Sequence, residues 1–284
     1  MHINIENNLR TLGPNEALVA LSLCEQDKKV VITADIVSLL NKNNTSRKVI
    51  HNLLRKGWLT RLKGGRYLFL PPEYGPKNIG ENNPLVIASS LVEPSYVGWW
   101  AAASFHGLTT QRPMKFTVAT LQQFPSRIVE DTEIKFIKVV PRKFFGYKSY
   151  TIYQREVILS TPAKTVIDCV DRPDLAGGPS EVARIFYGAS MVVDPEELFE
   201  DALKMESKVL LQRLGFLADL IGWEWPLTIR EKMRRAIPIS TRSTFGRSTR
   251  KEGDIGYVKD WGLIVNITAS DLLTEVPLKN KTLC

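Results

Sequence analysis

A run of polar residues between positions 44 and 55 carries side chains that can read nucleic acid. Arg47 and His51 lie one helical turn apart, opposite a set of apolar residues. Cations, imidazoles and amides near the start of a helix form hydrogen bonds with base edges in the major groove. The residues expected to reach base edges, or to flank those that do, are Asn44, Thr45, Ser46, Arg47, Lys48, His51 and Asn52.

A second set of cations lies around a glycine-rich turn that follows this helix. Two runs of β-type residues, 58–62 and 66–70, are joined across a Lys-Gly-Gly sequence. Consecutive glycines supply the positive φ angles that a tight hairpin requires. We expect Lys63 and Arg66 to contact phosphates or the adjacent minor groove, with Arg55 as a further phosphate contact. The alternative is that all these charges only solvate a small helical domain.

The elements that must position these side chains form a helix-corner-helix pattern. Residues 14–25 and 33–40 have the apolar spacing of two helices, and a polar corner follows them. A third helix over 45–56 starts with hydroxyl residues and ends before a glycine, a common C-terminal stop. With a short strand at 30–32 and the hairpin, the pattern predicts a winged helix-turn-helix domain over residues 1–75.

The rest of the chain predicts a mixed helix and sheet domain over residues 84–284, so that the whole chain is α+β. A linker rich in Pro, Gly and Asn is expected at 76–83. The expected helices are 84–91, 94–106, 162–169, 180–189, 194–204 and 207–221. The expected strands are 116–120, 134–140, 150–155 and 261–267. The first three strands are separated by gaps too short for crossover helices, which favours an antiparallel sheet that the last strand rejoins.

The composition favours a basic protein in a reducing compartment. The 284 residues have a formal net charge of +8 and a pI near 9.3, with basic blocks at 1–75, 111–156 and 204–260. Such a balance suits a polyanionic partner. The three cysteines lack the spacing of a disulfide framework or a zinc site. The sequence shows neither a signal-peptide pattern nor an apolar run of membrane-spanning length, so we expect a cytoplasmic protein without a membrane partner.

Two basic clusters in the second domain are candidate contacts for a partner protein or for nucleic acid. The first alternates cations with aromatic residues over 141–150, a pattern that can stack bases and neutralise phosphates. The second spans 230–251 and includes a polar stretch at 240–249 that we expect to be an exposed loop. The alternatives are a hairpin with its aromatic side chains in the core and a loop that is only solvated. The candidate contacts are Arg142, Lys143, Lys148, Arg234, Arg235, Arg242, Arg247 and Arg250.

No set of residues predicts catalysis, a metal site or a cofactor. Ser104 and His106 are two apart on a predicted helix, where their side chains point to different faces. The segment 133–135, Glu-Ile-Lys, fits half of a metal-dependent nuclease pattern, but residues 94–129 contain no carboxylate to complete it. Motifs for phosphate loops, dinucleotides and zinc proteases are absent. We therefore expect a protein without enzymatic activity.

A ligand-sensing repressor is the main alternative. Trp99 and Trp100 lie on one predicted helix and could line a metabolite pocket, although packing in the core explains the same residues. A DNA-binding head fused to a nuclease is a second and less favoured alternative.

Three segments of the second domain, taken in order after the N-terminal head, resemble the AbiEi family of antitoxins. Residues 96–110, Tyr-Val-Gly-Trp-Trp-Ala-Ala-Ala-Ser-Phe-His-Gly-Leu-Thr-Thr, resemble its tyrosine, small residues and histidine-glycine-leucine-threonine. Residues 160–168 are similar to its threonine-proline, lysine-threonine and aspartate helix, and residues 260–266 resemble its closing segment. Together these markers span nearly the whole chain.

The resemblance implies the antitoxin of a bacterial two-gene toxin–antitoxin operon, with a part in phage defence. The winged helix of such a protein represses its own promoter, usually on inverted repeats. The C-terminal domain counteracts a toxin that resembles nucleotidyltransferases, without requiring a stable complex. The antidote activity follows from this resemblance alone and not from the chemistry of any residue in the chain.

Overall fold

The computed structural model describes most of the chain, in two compact units. It covers residues 11–26, 28, 30–61, 65–70, 83–129, 132–152, 155–238, 240–274 and 276. Unit 1 comprises residues 1–91 with 129–131, and unit 2 comprises residues 92–128 and 132–284. Of the expected linker only Asn83 is described, and its side chain accepts a hydrogen bond from the N–H of Leu85 at the start of a helix. Both units contain helices and strands, and in unit 2 the strands and helices are largely segregated along the chain, which confirms the α+β class.

Unit 1 contains helices and a small sheet, and its first three helices pack with that sheet around an apolar cluster. Its elements in chain order are α1 (Pro14–Glu25), β1 (Val30–Ile32), α2 (Thr33–Leu40), α3 (Asn43–Arg55), β2 (Leu59–Arg61), β3 (Arg66–Phe69) and α4 (Pro84–Ser90). Leu23 of α1 and Ile36 of α2 are fully buried in this cluster. They meet Val49, Ile50 and Leu53, whose three- and four-residue spacing places them on one face of α3.

The corner between α2 and α3 is tighter than the sequence indicates. Asn41 adopts the left-handed conformation, with φ of 51°, which its short polar side chain tolerates. This closes α2 at once, and α3 begins at Asn43 instead of the predicted Thr45. Ser46 therefore lies inside the first turn and does not cap it. Its Oγ donates instead to the carbonyl of Lys42 at 2.8 Å.

The sheet of unit 1 is antiparallel, with the order β1-β3-β2. In the central strand, Tyr67 pairs with Val31 on one side and with Arg61 on the other. Phe69 stacks on Trp58 with ring centroids 6.4 Å apart, which anchors the hairpin to the core. The predicted strand at 30–32 and both hairpin strands are present, while the hairpin tip at 62–64 lies outside the described residues.

A six-stranded sheet forms the frame of unit 2. Its strands are β4 (Ser95–Gly98), β5 (Lys115–Thr120), β6 (Arg127–Val129), β7 (Thr132–Lys138), β8 (Tyr147–Ile152) and β9 (Arg155–Ser160), in the order β6-β7-β5-β4-β9-β8. β5 is parallel to β7 and β4 is parallel to β9, whereas the pairs β4–β5 and β8–β9 are antiparallel. The predicted antiparallel sheet is therefore wrong for two pairs. β5 and β7 can be parallel because the chain between them runs back along the sheet through the strand β6. This connection takes the place of a crossover helix.

The chain enters the next helix through a strand that the sequence pattern does not indicate. β4 lies between β5 and β9, and all four of its residues are buried. α5 (Trp99–Phe105) then begins abruptly at Trp99, whose φ is 52°. The expected helix over 94–106 is therefore wrong in its first half, because hydrogen bonding to two neighbouring strands overrides local helical spacing.

The other helices of unit 2 surround its main apolar core. They are α6 (Pro162–Asp171), α7 (Pro179–Ala189), α8 (Pro195–Lys204), α9 (Lys208–Ile221), α10 (Leu227–Ala236) and α11 (Ala269–Leu273). Thr161, Asp194 and Ser207 cap α6, α8 and α9 through their side chains, which confirms the predicted helix starts to within a residue. α10 is not predicted. Within the described ranges, no helix combines the length and hydropathy that a membrane span requires.

The last β-type run does not rejoin the large sheet. β10 (Ser243–Gly246), β11 (Gly256–Val258) and β12 (Leu263–Asn266) form a separate sheet of order β10-β12-β11, with β10 parallel and β11 antiparallel to β12. Trp261 packs tightly on α9, where a Cβ added to Gly215 would lie 2.4 Å from its ring. The predicted position of 261–267 in the main sheet is therefore wrong, and the predicted loop at 240–249 contains a strand.

Candidate nucleic-acid interface

The outer face of α3 is a solvent-exposed row of polar and cationic side chains. Asn44, Arg47, Lys48, His51 and Arg55 are all exposed, at the three- and four-residue spacing of one helix face. From the first to the last of them the row is about 16 Å long, at 1.5 Å per residue. We call this row the α3 face.

The charge around the α3 face has one sign. Between residues 36 and 72 the chain contains eight lysines and arginines and no Asp or Glu. In the described part of unit 1, ion pairs join Lys28 and Lys56 to carboxylates outside this segment. Arg47, Lys48 and Arg55 have no such partner among the described residues. This stretch of the chain is therefore electropositive, a charge that a polyanion would complement.

Ser46 does not belong to the α3 face, contrary to the prediction. Its side chain is completely buried, and Oγ hydrogen-bonds the carbonyl of Lys42. Ser46 lies three positions before Val49 and seven before Leu53, so it shares their inward face. This spacing could have predicted its burial from the sequence. The neighbouring Thr45 is half-buried. The hydroxyl of Ser46 thus serves the corner and not a ligand.

Two further predicted contacts are held by protein partners. Asn52 is half-buried and hydrogen-bonds the carboxylate of Glu16 in α1. Arg66 donates from Nη1 to the carbonyl of Leu91 at 3.1 Å. Each side chain therefore has a protein partner that the sequence did not indicate, although the guanidinium of Arg66 has further N–H donors besides the one that Leu91 accepts.

The hairpin adds one exposed cation that the sequence reasoning missed. Arg61 is exposed in β2. The sequence could have indicated this cation, because Arg61 is two residues before Lys63. Lys63 lies outside the described residues. In the sequence both cations precede the two glycines, and Arg61 is the last residue of β2.

A partly buried ion pair joins the back of α3 to α1. Lys56 lies 2.5 Å from the carboxylate of Glu16, which also accepts from the N–H of Gly13 at 2.9 Å. Burial alone raises the pKa of Glu16, but the hydrogen bonds from Lys56, Gly13 and Asn52 lower it below its usual value of 4.5. The carboxylate stays charged and ties α1 to the C-terminal end of α3.

In unit 2, residues of the segments 96–110 and 160–168 meet in one buried triad. Lys164 is fully buried, and its Nζ donates to Asp168 one turn later and to Tyr96 Oη at 3.1 Å. Tyr96 Oη donates to the other oxygen of Asp168, also at 3.1 Å. Burial raises the pKa of Asp168, against the lowering effects of Lys164 and Tyr96. Because solvent does not reach Lys164, the triad is suited to holding the fold together.

Aromatic rings and a glycine close over Lys164. Its Nζ lies 5.0 Å from the ring centroid of Phe145 and 5.5 Å from that of Tyr96, within the range of cation–π attraction. Gly146 has φ of 67°, and a Cβ there would lie 2.8 Å from the Cβ of Lys164. Tyr147 stacks on Tyr96 with ring centroids 5.1 Å apart. The aromatic residues of the 141–150 segment thus pack largely against the core.

Most cations of the 141–150 segment have a carboxylate partner. Arg142 Nε lies 3.3 Å from Glu206, and Lys143 Nζ lies 2.6 Å from Asp171. Lys148 instead lies 5.0 Å above the ring of Tyr150. Of the three candidates, Lys148 is the cation without a carboxylate partner in the part of the chain that the structure describes.

In the second basic cluster, too, some cations have a carboxylate partner and others do not. The pairs are Arg234–Asp260 at 3.8 Å, Arg235–Glu231 at 3.2 Å and Arg247–Asp254 at 2.5 Å. Within the described residues, Arg242 and Arg250 have no carboxylate partner. Arg242 lies 5.3 Å over the ring of Tyr257, which is half exposed and was not among the predicted contacts.

The residues considered for catalysis or ligand sensing have structural partners. Glu133 pairs with Lys115 across β5 and β7 at 2.9 Å, and the described residues contain no cluster of three His, Cys, Asp or Glu that could hold a metal ion. Trp99 is buried in the core, and Trp100 donates to Glu181 at 3.0 Å. Glu181 also accepts from Thr109, so the end of the 96–110 segment is fastened to α7.

His106, in the same segment, is also tied to the backbone. Its Nε2 lies 2.7 Å from the carbonyl of Ser160. Burial lowers the pKa of His106, the bond to Ser160 opposes this, and the charge of Lys148 lowers it further. The neutral ring therefore donates to the carbonyl and joins the end of α5 to β9.

The comparisons with known proteins identify a fold and no family. No family model matches the chain, and no curated protein matches it. The fold is similar to the crystal structure of the RV2827C protein from Mycobacterium tuberculosis, with a TM-score of 0.64 over 93% of this chain and 95% of that chain. The two sequences are 16% identical, so the likeness concerns the fold alone.

Proposed function

We propose that unit 1 is a winged helix-turn-helix domain that binds duplex DNA, and that the protein is an antitoxin that represses its own operon. The element order α1-β1-α2-α3-β2-β3 with an antiparallel sheet supports a winged helix. The observation that carries the proposal is the α3 face, an exposed cationic row within a segment free of carboxylates.

The side chains of the α3 face have different roles by position. Arg47 and Lys48 lie in the first two turns, the part of a recognition helix that contacts base edges. An arginine there can bond both acceptors of a guanine, which discriminates against other bases. Arg55 lies two turns later and contacts a phosphate, which positions the helix without reading sequence.

Binding to the promoter of the chain's own operon tests this proposal. Arg47→Ala should weaken binding to that duplex by about 1–3 kcal/mol and relax base preference, because a bidentate base contact is lost. Arg55→Ala should weaken binding to promoter and scrambled duplexes alike and reduce the salt slope by about 0.9. Fluorescence anisotropy at several salt concentrations measures both effects.

Arg235→Ala is the matched control, since this exposed cation of α10 is already paired with Glu231. It should bind like the wild type. A wild-type protein without preference for its promoter, or identical behaviour of the Arg47 and Arg55 variants, contradicts the proposal.

The antidote function is proposed for unit 2. Its support is the resemblance of residues 96–110, 160–168 and 260–266 to AbiEi-type antitoxins. The partner is a toxin resembling nucleotidyltransferases, encoded beside this chain and counteracted without a stable complex. Because Tyr96, Lys164 and Asp168 are buried together, these markers maintain the fold that carries the antidote surface.

Growth rescue separates the two functions. The full-length triple variant Arg47→Ala, Lys48→Ala, Arg55→Ala should lose promoter repression and still restore growth to cells that express the adjacent toxin gene. The readouts are a promoter reporter and colony counts. Failure of the wild type to restore growth overturns the antidote function. A gene beside a metabolic operon, with no toxin gene, would instead favour a ligand-sensing repressor.

A further inference from the structure

We infer that the outer face of the small sheet β10-β12-β11 binds single-stranded RNA. Its register places Thr244, Ile264 and Tyr257 in one row across the three strands. Thr244 and Tyr257 are exposed, whereas Phe245 and Val265 in the next row are buried. Because cross-strand partners share a face, the first row forms the solvent side of the sheet. We call this row the outer row.

Tyr257 is placed to stack a base. Half of its surface is exposed, and the guanidinium of Arg242 lies 5.3 Å from its ring centroid. This contact holds the arginine beside the ring and leaves the ring largely open. Bases stack on exposed aromatic rings whatever their sequence, and arginine adds a cation beside the stack.

The loop before β11 supplies further cations in fixed positions. Asp254 is buried and accepts from Arg247 and from the N–H of Lys251, the latter at 2.7 Å. Arg250 lies against the backbone of β11, where a Cβ added to Gly256 would be 2.9 Å from its Nη2. Because Gly256 pairs with the buried Val265, this contact lies on the inner side of β11, whereas the exposed Lys251 adds positive charge to the loop that leads to Tyr257.

The charges of this surface leave a net positive potential. In the described residues, Arg242, Arg250 and Lys251 have no carboxylate ion pair, while Asp254 is neutralised by Arg247. Glu252 is the exposed acid of the loop. A ring for stacking with cations around it fits a phosphate backbone whose bases are free, and not a duplex with stacked bases.

The outer row also carries a hydroxyl that favours RNA over DNA. Thr244 lies two strands from Tyr257, about 10 Å away at the usual strand spacing. Its exposed hydroxyl can donate to or accept from a ribose 2′-hydroxyl, the group that distinguishes RNA from DNA at a contact. This activity goes beyond operator binding, because it uses residues of unit 2 alone.

Anisotropy of labelled 20-nucleotide oligo(U) and oligo(dU) with the full-length protein tests the inference. Oligo(U) should bind more tightly than oligo(dU). Tyr257→Ala should weaken oligo(U) binding about 5- to 150-fold, and Tyr257→Phe should retain it, because stacking needs only the ring. Arg242→Ala should reduce the salt slope by about 0.7, whereas Arg250→Ala, which removes a cation from the other side of β11, should change it less. Ultraviolet cross-linking should join the RNA to the peptide that contains Tyr257.

Matched variants keep this outcome separate from operator binding. Arg235→Ala should bind oligo(U) like the wild type, and so should Arg47→Ala. Tyr257→Ala should keep promoter affinity and the wild-type calorimetric transition of unit 2, and the latter shows that the unit that contains Tyr257 folds. Absence of oligo(U) binding at low salt, wild-type binding by Tyr257→Ala, or equal affinity for oligo(dU) overturns the inference. Displacement of oligo(U) by polyglutamate but not by unlabelled RNA would also overturn it, in favour of an acidic protein partner.

Discussion

Ser46 illustrates how a hydroxyl beside a recognition surface can belong to the fold. Its Oγ is buried and donates to the carbonyl of Lys42, which fixes the first turn of α3 to the corner. We expect Ser46→Ala to lower the free energy of unfolding by about 1 kcal/mol, the usual effect of losing one hydrogen bond. Promoter affinity should stay unchanged. Urea denaturation and anisotropy measure the two quantities, and a tenfold loss of affinity at unchanged stability would contradict this role.

His106 should make the protein less stable in mild acid. Burial lowers its pKa below 6.5 in the folded state, with a further lowering by Lys148 and an opposing effect of the bond to Ser160. As the pH falls through about 6.5, the unfolded chain binds a proton before the folded chain does, so stability is lost there until the folded histidine also protonates. The melting temperature should therefore fall between pH 7.5 and 5.5, by about 2–4 °C for each kcal/mol lost.

His106→Gln is the control for this titration. It removes the ionisable ring, and circular dichroism should record a smaller fall of its melting temperature over the same pH range. Equal falls in both proteins would show that another group governs the acid sensitivity.

At the scale of elements, the Lys164–Asp168 pair within α6 is hydrogen-bonded to Tyr96 of β4, which fastens the helix to the strand. Lys164→Met should destabilise unit 2 by about 3–5 kcal/mol, because it leaves the carboxylate of Asp168 buried without its partner. The double variant Lys164→Met, Asp168→Leu should recover much of this loss, since no unpaired charge remains. Chemical denaturation of both variants provides the measurement. A double variant less stable than the single one would contradict this explanation. It would mean that the hydrogen bonds among Tyr96, Lys164 and Asp168 stabilise the unit beyond neutralising a buried charge.

The elements that local signals define could be predicted, and those that depend on distant pairing could not. The cap residues Thr161, Asp194 and Ser207 can be recognised in the sequence and indicate where helices begin. β4 gives no such signal, because its extended form depends on hydrogen bonds to strands about 20 and 60 residues later. The separate sheet of β12 has the same origin, since its partners are decided by packing on α9.

The candidate interface divides in the same way. The exposure of Arg47, Lys48, His51 and Arg55 follows from helical spacing against an apolar face, and the structure places all four outward. The partners of Arg66 and Asn52 lie on other elements, so spacing along one helix or strand cannot reveal them. The exposure of Tyr257 was not predicted, because it depends on which face of the sheet β10-β12-β11 packs on the core, and the three-residue strand β11 does not reveal this.

At the scale of the whole molecule, separate apolar clusters in the two units predict separable unfolding. Leu53 is fully buried in the cluster of unit 1. Leu53→Ala should destabilise that unit by about 2–5 kcal/mol through a cavity. It should reduce promoter binding at 37 °C while leaving oligo(U) binding intact. Differential scanning calorimetry should show one transition shifted and the other unmoved; a common shift of both would contradict this expectation.

The anchoring of α3 also bears on how such a protein changes its target. Ser46, Asn52 and Lys56 hold α3 in place through bonds to its N-terminal corner and to α1. The five residues of the α3 face therefore do not contribute to packing in the core. Under the proposed function, substitutions at these positions change which operator is bound while the scaffold stays folded. Chains with this scaffold would then be able to diverge in promoter specificity, and related operons in one cell would avoid silencing each other.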